Sequence, residues 1–233
     1  VAESMSIAGN NGYLMINNSN RIEVVAAENF KSVATINGLH SPRFMTMAGP
    51  GKAYVTNLQS NISIIDLNNH TVTGTIKTSS WTENMISYQH YVLVTSIGSF
   101  SEPSSGRKAQ LFLIDTRTDR IIDSIQTGKE PIGMVIDKKD KVWVLCSGGY
   151  DSFESPSLMR INPELRMVEK VFTFSDPKLI RSRLCINATG DTMYFLRQGV
   201  CRMAVSDNDL PAQPLIPSEG RRLYGLAVQP STG

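Results

Sequence analysis

Four short apolar or alternating segments recur in the same order along the whole chain, and this repeat limits the fold more than any other feature. One copy runs through Pro42-Arg-Phe-Met-Thr-Met, a turn at Gly49-Pro-Gly-Lys, Ala53-Tyr-Val-Thr-Asn57, Ile62-Ser-Ile-Ile-Asp66, a turn Leu-Asn-Asn-His, and Val72-Thr-Gly-Thr-Ile76. Another runs through Pro131-Ile-Gly-Met-Val-Ile136, the turn Asp137-Lys-Lys-Asp, Val142-Trp-Val-Leu-Cys146, Leu158-Met-Arg-Ile-Asn162 and Val168-Glu-Lys-Val-Phe172. Each copy reads as four strands separated by Gly, Asn, Asp and Pro turns. Related copies start near Met5 and Asn84, and a looser one fills 178–220. The repeats span about 4–39, 40–78, 79–128, 129–177 and 178–220, with a partial copy over 221–233.

Four strands every ~40–50 residues is the period of a β-propeller blade. No segment sustains the 3.6-residue apolar period of a helix. The expected fold is therefore all-β, a propeller of four-stranded antiparallel blades in one section over 1–233. It has five complete blades and, at Leu223-Tyr-Gly-Leu-Ala-Val228, the first strand of a sixth. An innermost strand without its neighbours cannot close a ring, so the sequence is expected to belong to a longer propeller. With strands labelled A to D from the axis outward, Asp66 and Asp115 end strand C and are expected to cap the C–D turns. Gly51, Gly128 and Gly190 read as turn residues needing a permissive φ. Trp143 reads as core between blades.

Lys and Arg number 23 against 21 Asp and Glu, a formal net charge of +2. Such a balance gives no broad pull toward nucleic acid or anionic lipid. No apolar run approaches the ~20 residues of a membrane helix. Cys146, Cys185 and Cys201 lie in apolar stretches without metal-ligand spacing, and read as buried free thiols. His40 is expected in a D–A loop, whereas His70 and His90 belong to C–D and A–B turns on the opposite face, so the three cannot share a metal site or triad.

Ala53-Tyr-Val-Thr-Asn57, Ile62-Ser-Ile-Ile-Asp66 and the following Val-x-Gly-x-Ile strand resemble the YVTN-type β-propeller repeat. Asn17-Asn18-Ser19, Ser41-Pro-Arg43, Gly148-Gly-Tyr150 with Ser155-Pro-Ser-Leu158, and Tyr224-Gly-Leu make the sequence similar to propellers of Bacteroidetes cell envelopes. That family includes surface lipoproteins that capture vitamin B12 beside an outer-membrane TonB-dependent transporter. The resemblance implies a ring of about seven blades and an extracytoplasmic location, in the periplasm or on the outer surface, with the export signal absent from this sequence. It implies a partner that is a small molecule or an envelope protein, such as a TonB-dependent transporter. No cofactor is expected.

Antiparallel connection puts D–A and B–C loops on one face and A–B and C–D turns on the other. The long insertions, 96–110 and 147–157, both fall in B–C loops, and loops on a rigid scaffold are where binding residues concentrate. They carry Phe100, Tyr150 and Phe153 beside Glu102, Asp151 and Glu154. The D–A loops add Arg43, Trp81, Arg181, Arg183, Arg221, Arg222 and Tyr224. Aromatic platforms mixed with Arg and carboxylates suit a flat polar ligand or a protein partner. The ligand-face candidates are Arg43, Trp81, Phe100, Tyr150, Asp151, Phe153, Arg183, Arg222 and Tyr224, with no catalytic or metal residue assigned.

The function expected is non-enzymatic binding at a bacterial cell envelope, for instance corrinoid-like nutrient capture. The alternative is a calcium-dependent hydrolase or lactonase, as in the propeller lactonases the fold resembles, with Glu83, Asn84 and Glu130 at the strand A entries as oxygen donors. A second alternative is single-stranded nucleic-acid binding by the basic Arg181, Arg183, Arg221 and Arg222, opposed by the acidic residues of the insertions.

Overall fold

A computed structural model describes residues 2–98, 109–149, 154–175 and 183–229. Among these residues twenty strands form five four-stranded antiparallel sheets, each in simple sequential order. The first sheet comprises β1 (Ala2–Ala8), β2 (Asn11–Ile16), β3 (Arg21–Ala26) and β4 (Ser32–Ile36). The second comprises β5 (Pro42–Gly49), β6 (Lys52–Asn57), β7 (Asn61–Asp66) and β8 (Thr71–Lys77). The third comprises β9 (Trp81–Tyr88), β10 (Tyr91–Gly98), β11 (Gln110–Asp115) and β12 (Arg120–Gln126). The fourth comprises β13 (Pro131–Ile136), β14 (Val142–Cys146), β15 (Ser157–Asn162) and β16 (Met167–Thr173). The fifth has β17 (Leu184–Ile186), β18 (Thr192–Leu196), β19 (Gly199–Ala204) and β20 (Ile216–Pro217). These are the five expected blades, the last with short outer and inner strands.

The protein divides into two compact units, Val1–Glu102 with Leu111–Ser124, and Pro103–Gln110 with Ile125–Gly233. In the first unit, strands of period two bury side chains on both faces. Ala53, Val55 and Ile65 meet Tyr13, Met15, Ile22 and Val24 of the first blade. Tyr54 and Ile62 turn the other way, onto Val92, Val94, Phe112 and Ile114 of the third. Each such side chain, fully withdrawn from water, stabilises by about 1.5–3 kcal/mol. The D strand β8 instead alternates, with Thr71, Thr73, Thr75 and Lys77 exposed, Val72 and Gly74 half-buried and Ile76 buried, as suits an outer edge.

In the second unit the core lies between the fourth and fifth blades, with Trp143, Leu145, Leu158 and Phe172 against Leu184, Met193, Phe195 and Met203. Trp143 is 0% exposed and stacks on Phe172 with ring centroids 5.8 Å apart, confirming its place in the core. Its indole Nε1–H donates to Asp137 Oδ2 at 2.8 Å. The same carboxylate accepts from the backbone N–H of Lys139 and Lys141, closing the A–B turn. Asn187 repeats that arrangement one blade later, accepting from the N–H of Asp191 and Thr192.

The C–D turns carry the expected caps. Asp66 Oδ1 accepts from the N–H of Asn68 at 2.8 Å and of Asn69 at 3.2 Å. Asp115 accepts from Arg117 N–H at 2.8 Å and from the Arg117 guanidinium. Gly51 and Gly190 do adopt positive φ, +64° and +67°. Gly128 does not, and the reason for glycine there is space: a Cβ would lie 2.8 Å from Ser157 Oγ and 3.1 Å from Cys146 Cβ. Residues 221–229, read as the first strand of a sixth blade, enter no ladder. A strand requires a hydrogen-bonded neighbour, whereas this segment is tied by single contacts such as Cys185 Sγ–H to the Leu226 carbonyl at 3.2 Å and Arg221 N–H to the Ser218 carbonyl at 2.9 Å. Cys146 and Cys201 are buried free thiols as expected, whereas Cys185 is half-buried.

Candidate binding face

Hydrogen bonds between loops show that D–A and B–C connections share a face within each unit. In the first, Ser41 N–H donates to Asn20 Oδ1 at 2.7 Å, and Leu58 N–H donates to the Ser41 carbonyl at 3.1 Å. Thr78 N–H likewise donates to the Ser60 carbonyl. In the second, Ser147 and Gly148 N–H donate to the carbonyls of Glu130 and Lys129, and Phe174 N–H to that of Pro156. Loops so cross-braced form a platform whose tips are held in register.

Arg43 lies inside strand β5 and is engaged on both sides. Its Nε–H donates to Glu83 Oε2 at 3.0 Å, with a second, short contact from the guanidinium to Glu83 Oε1. The remaining guanidinium nitrogen meets Glu3 Oε2 at 2.7 Å. Burial works against the charge, but the hydrogen bonds and fields of Glu83 and Glu3 outweigh it and raise the Arg43 pKa. The innermost strands of three successive blades are thus joined by acid, base, acid. Below this, Ser6 Oγ–H donates to the Met45 carbonyl at 2.9 Å and Ser87 Oγ–H to that of Met47 at 2.7 Å. Sequence reasoning put Arg43 among the ligand-face candidates and Glu83 among the possible oxygen donors, but did not pair them and did not single out Glu3. Glu3, Arg43 and Glu83 stand one repeat apart, and that spacing was the signal available.

Trp81 opens strand β9 and is half-buried. Arg183, Arg222 and Tyr224 belong to the second unit and are exposed, Tyr224 by 70%. Arg221 there pairs with Glu219 at 2.9 Å. Lys129 and Glu154 form an ion pair across the D–A and B–C loops at 3.2 Å, and Ser147 Oγ–H donates to Glu130 at 2.7 Å. Phe100, Tyr150, Asp151 and Phe153, with Glu102 and Arg181, lie outside the described residues. His40, His70 and His90 occupy the connections expected of them.

The oxygen donors of the calcium reading are already engaged. Glu83 is held by Arg43, Glu130 by Ser147, and Asn84 Oδ1 accepts from Met85 N–H at 2.8 Å. Among the described residues no three His, Cys, Asp or Glu side chains are grouped to hold a metal ion. No helix is long and apolar enough to cross a membrane.

Five sequential four-stranded sheets, packed face to face within each unit and joined by alternating loop faces, define a β-propeller protein. The chain belongs to the family described as "Domain of unknown function (DUF5074)", which matches residues 1–233. No curated protein matches the sequence. Among solved structures it is similar to hydrazine synthase of Kuenenia stuttgartiensis, at 15% identity and a TM-score of 0.71, covering 90% of this chain and 68% of that one. It is also similar to dihydro-heme d1 dehydrogenase NirN in complex with DHE (15% identity, TM-score 0.59, 73% of this chain and 37% of that one). A third is the Pan2 WD40 domain of Neurospora crassa, at 12% identity and a TM-score of 0.68, over 88% of this chain and 61% of that one. The match spans less than two thirds of the latter two. At such identities the likeness shows the fold.

Proposed function

We propose that this propeller is a non-enzymatic binding module of a bacterial cell envelope, using the face formed by its D–A and B–C loops. The observation that carries the reading is the cross-bracing of those loops, with Asn20, Ser41 and Leu58 tied together in one unit and Glu130, Ser147 and Gly148 in the other. A braced face lowers the ordering cost of binding. On it the sequence places its two long insertions and most of its aromatic and arginine candidates. The YVTN-type repeat at Ala53–Asn57 and the similarity to Bacteroidetes envelope propellers support an extracytoplasmic location. They also support capture of a flat, polar nutrient of corrinoid type beside a TonB-dependent transporter. One similar structure, NirN, is a complex with a bound compound, DHE.

The test is titration of the protein with cobalamin, by calorimetry, for wild type and for Tyr150→Ala and Phe153→Ala. The expected result is saturable binding, weakened about tenfold or more in either variant with little change in Tm. Wild-type affinity in both variants would move the site off this face. Failure of cobalamin to bind, with an envelope protein or glycan binding in a Tyr150-dependent way, would overturn the ligand and keep the face. An adjacent transporter gene would support nutrient capture independently.

A further inference from the structure

Asparagine followed by glycine occurs twice, at Asn11-Gly12 and Asn37-Gly38, and the fold treats the two pairs in opposite ways. Such a pair is chemically labile, because glycine has no side chain to obstruct attack of its own backbone nitrogen on the preceding asparagine amide. Attack requires that nitrogen to be free of hydrogen bonds and the backbone free to turn. Gly12 lies within β2, paired with Ile7 on one side and Val25 on the other. It is buried, and a Cβ there would meet Val25 Cγ2 at 3.2 Å.

Asn37 and Gly38 follow β4 in the first D–A loop, exposed and outside every ladder. Gly38 has φ +83°, no atom within 4 Å of its Cβ position, and no hydrogen bond among the described residues. The loop is pinned immediately on either side. Ile36 is 1% and Leu39 2% exposed, and His40 N–H donates to Asn57 Oδ1 at 3.2 Å.

We propose that Asn37-Gly38 is a site of spontaneous covalent modification on the loop face, where a neutral amide becomes a carboxylate. Gly38 N gives its proton to solvent base and bonds to Asn37 Cγ. The bond from Asn37 Cγ to its own amide nitrogen breaks, and that nitrogen leaves as ammonia, taking up a proton from solvent. The five-membered imide is then opened by water at one of its two carbonyls, giving aspartate or isoaspartate. No oxidant and no second protein takes part. Either product adds a negative charge beside His40 and Ser41. Isoaspartate also inserts a methylene into the backbone between two buried anchors, Ile36 and Leu39. The ties to Asn20 and Asn57 must then shift, so this part of the rim changes with the age of the molecule.

The experiment is incubation of the folded protein in mildly alkaline buffer, followed by trypsin digestion and mass spectrometry. Peptide 32–43 is expected to gain about one dalton and to split into two chromatographic species. Conversion at Asn11, in peptide 1–21, should be slower by about tenfold or more, because it waits for local opening of the sheet. In urea both peptides should convert, and Asn37→Gln should remove the change from peptide 32–43. An unmodified 32–43 in the folded protein, alongside conversion in urea, would overturn the proposal. So would equal rates at Asn11 and Asn37 in the folded state.

Discussion

Asp137 shows how much a single carboxylate fixes in a repeat of this kind. It accepts from two backbone N–H groups and from the buried Trp143 indole. Asp137→Ala strands all three donors, and unfolding in urea should show a loss of about 2–4 kcal/mol, with altered tryptophan emission. Arg43→Met should cost about 1–3 kcal/mol, because it leaves Glu3 and Glu83 without their shared counter-charge. Adding Glu83→Gln to that variant should restore part of the loss. Burial pushes the Cys146 thiol up to about 12, so it stays protonated and should resist alkylation in the native state at neutral pH. Alkylation of Cys146 ahead of the half-buried Cys185, mapped by peptide, would contradict that order. Local chemistry of this kind was legible in the sequence where donor and acceptor lie within a few residues, as at Asp66 and Asp115. Arg43 was not, since its partners lie forty residues away on either side. Gly128 was misread because close packing against Cys146 and Ser157 leaves no mark in the residues around it.

At the level of strands, alternation and turn residues announced nearly every element. Pro42–Gly49 and Lys52–Asn57 sit where the apolar runs and the Gly-Pro-Gly turn put them. The fifth repeat was loose in the sequence and is loose in the fold, with three residues in β17 and two in β20. Few ladder bonds protect such strands, so among the strands amide hydrogen exchange should be fastest at Leu184–Ile186 and Ile216 and slowest in β6 and β14. Equal protection of β17 and β14 would contradict this. The candidate face was legible as a set of loops but not as a set of contacts. Loop position follows from strand order, whereas the ionic partners of Arg43 depend on how neighbouring blades align, and that of Lys129 on how two loops of its own blade meet.

Across the whole molecule, carboxylates on both units are held below their ordinary range. Hydrogen bonds from Arg117 bring Asp115 from 3.8 to about 2. Asp66 is lowered by the Asn69 side chain and the backbone N–H groups of its turn, and Asp191 by hydrogen bonds from Asn187 and Thr192. At Glu169 burial pushes upward, but Asn162, Lys141 and Arg160 more than offset it. A depressed folded-state pKa stabilises above the unfolded value and is lost as pH falls through the folded one. Tm should therefore hold steady down to about pH 4 and drop between about pH 4 and 2, less steeply in Asp115→Asn. The Glu3–Arg43–Glu83 seam has a consequence of another sort. A propeller is a tandem array of whole repeats, so copying or deleting one brings new blade faces together. A blade bearing Arg43 does not tolerate such a change, because it needs an acid on each flank. Moved elsewhere alone it would bring an unpaired cation, and its departure would leave two carboxylates facing one another. The seam makes the first three repeats a single heritable cassette, ordered and directional.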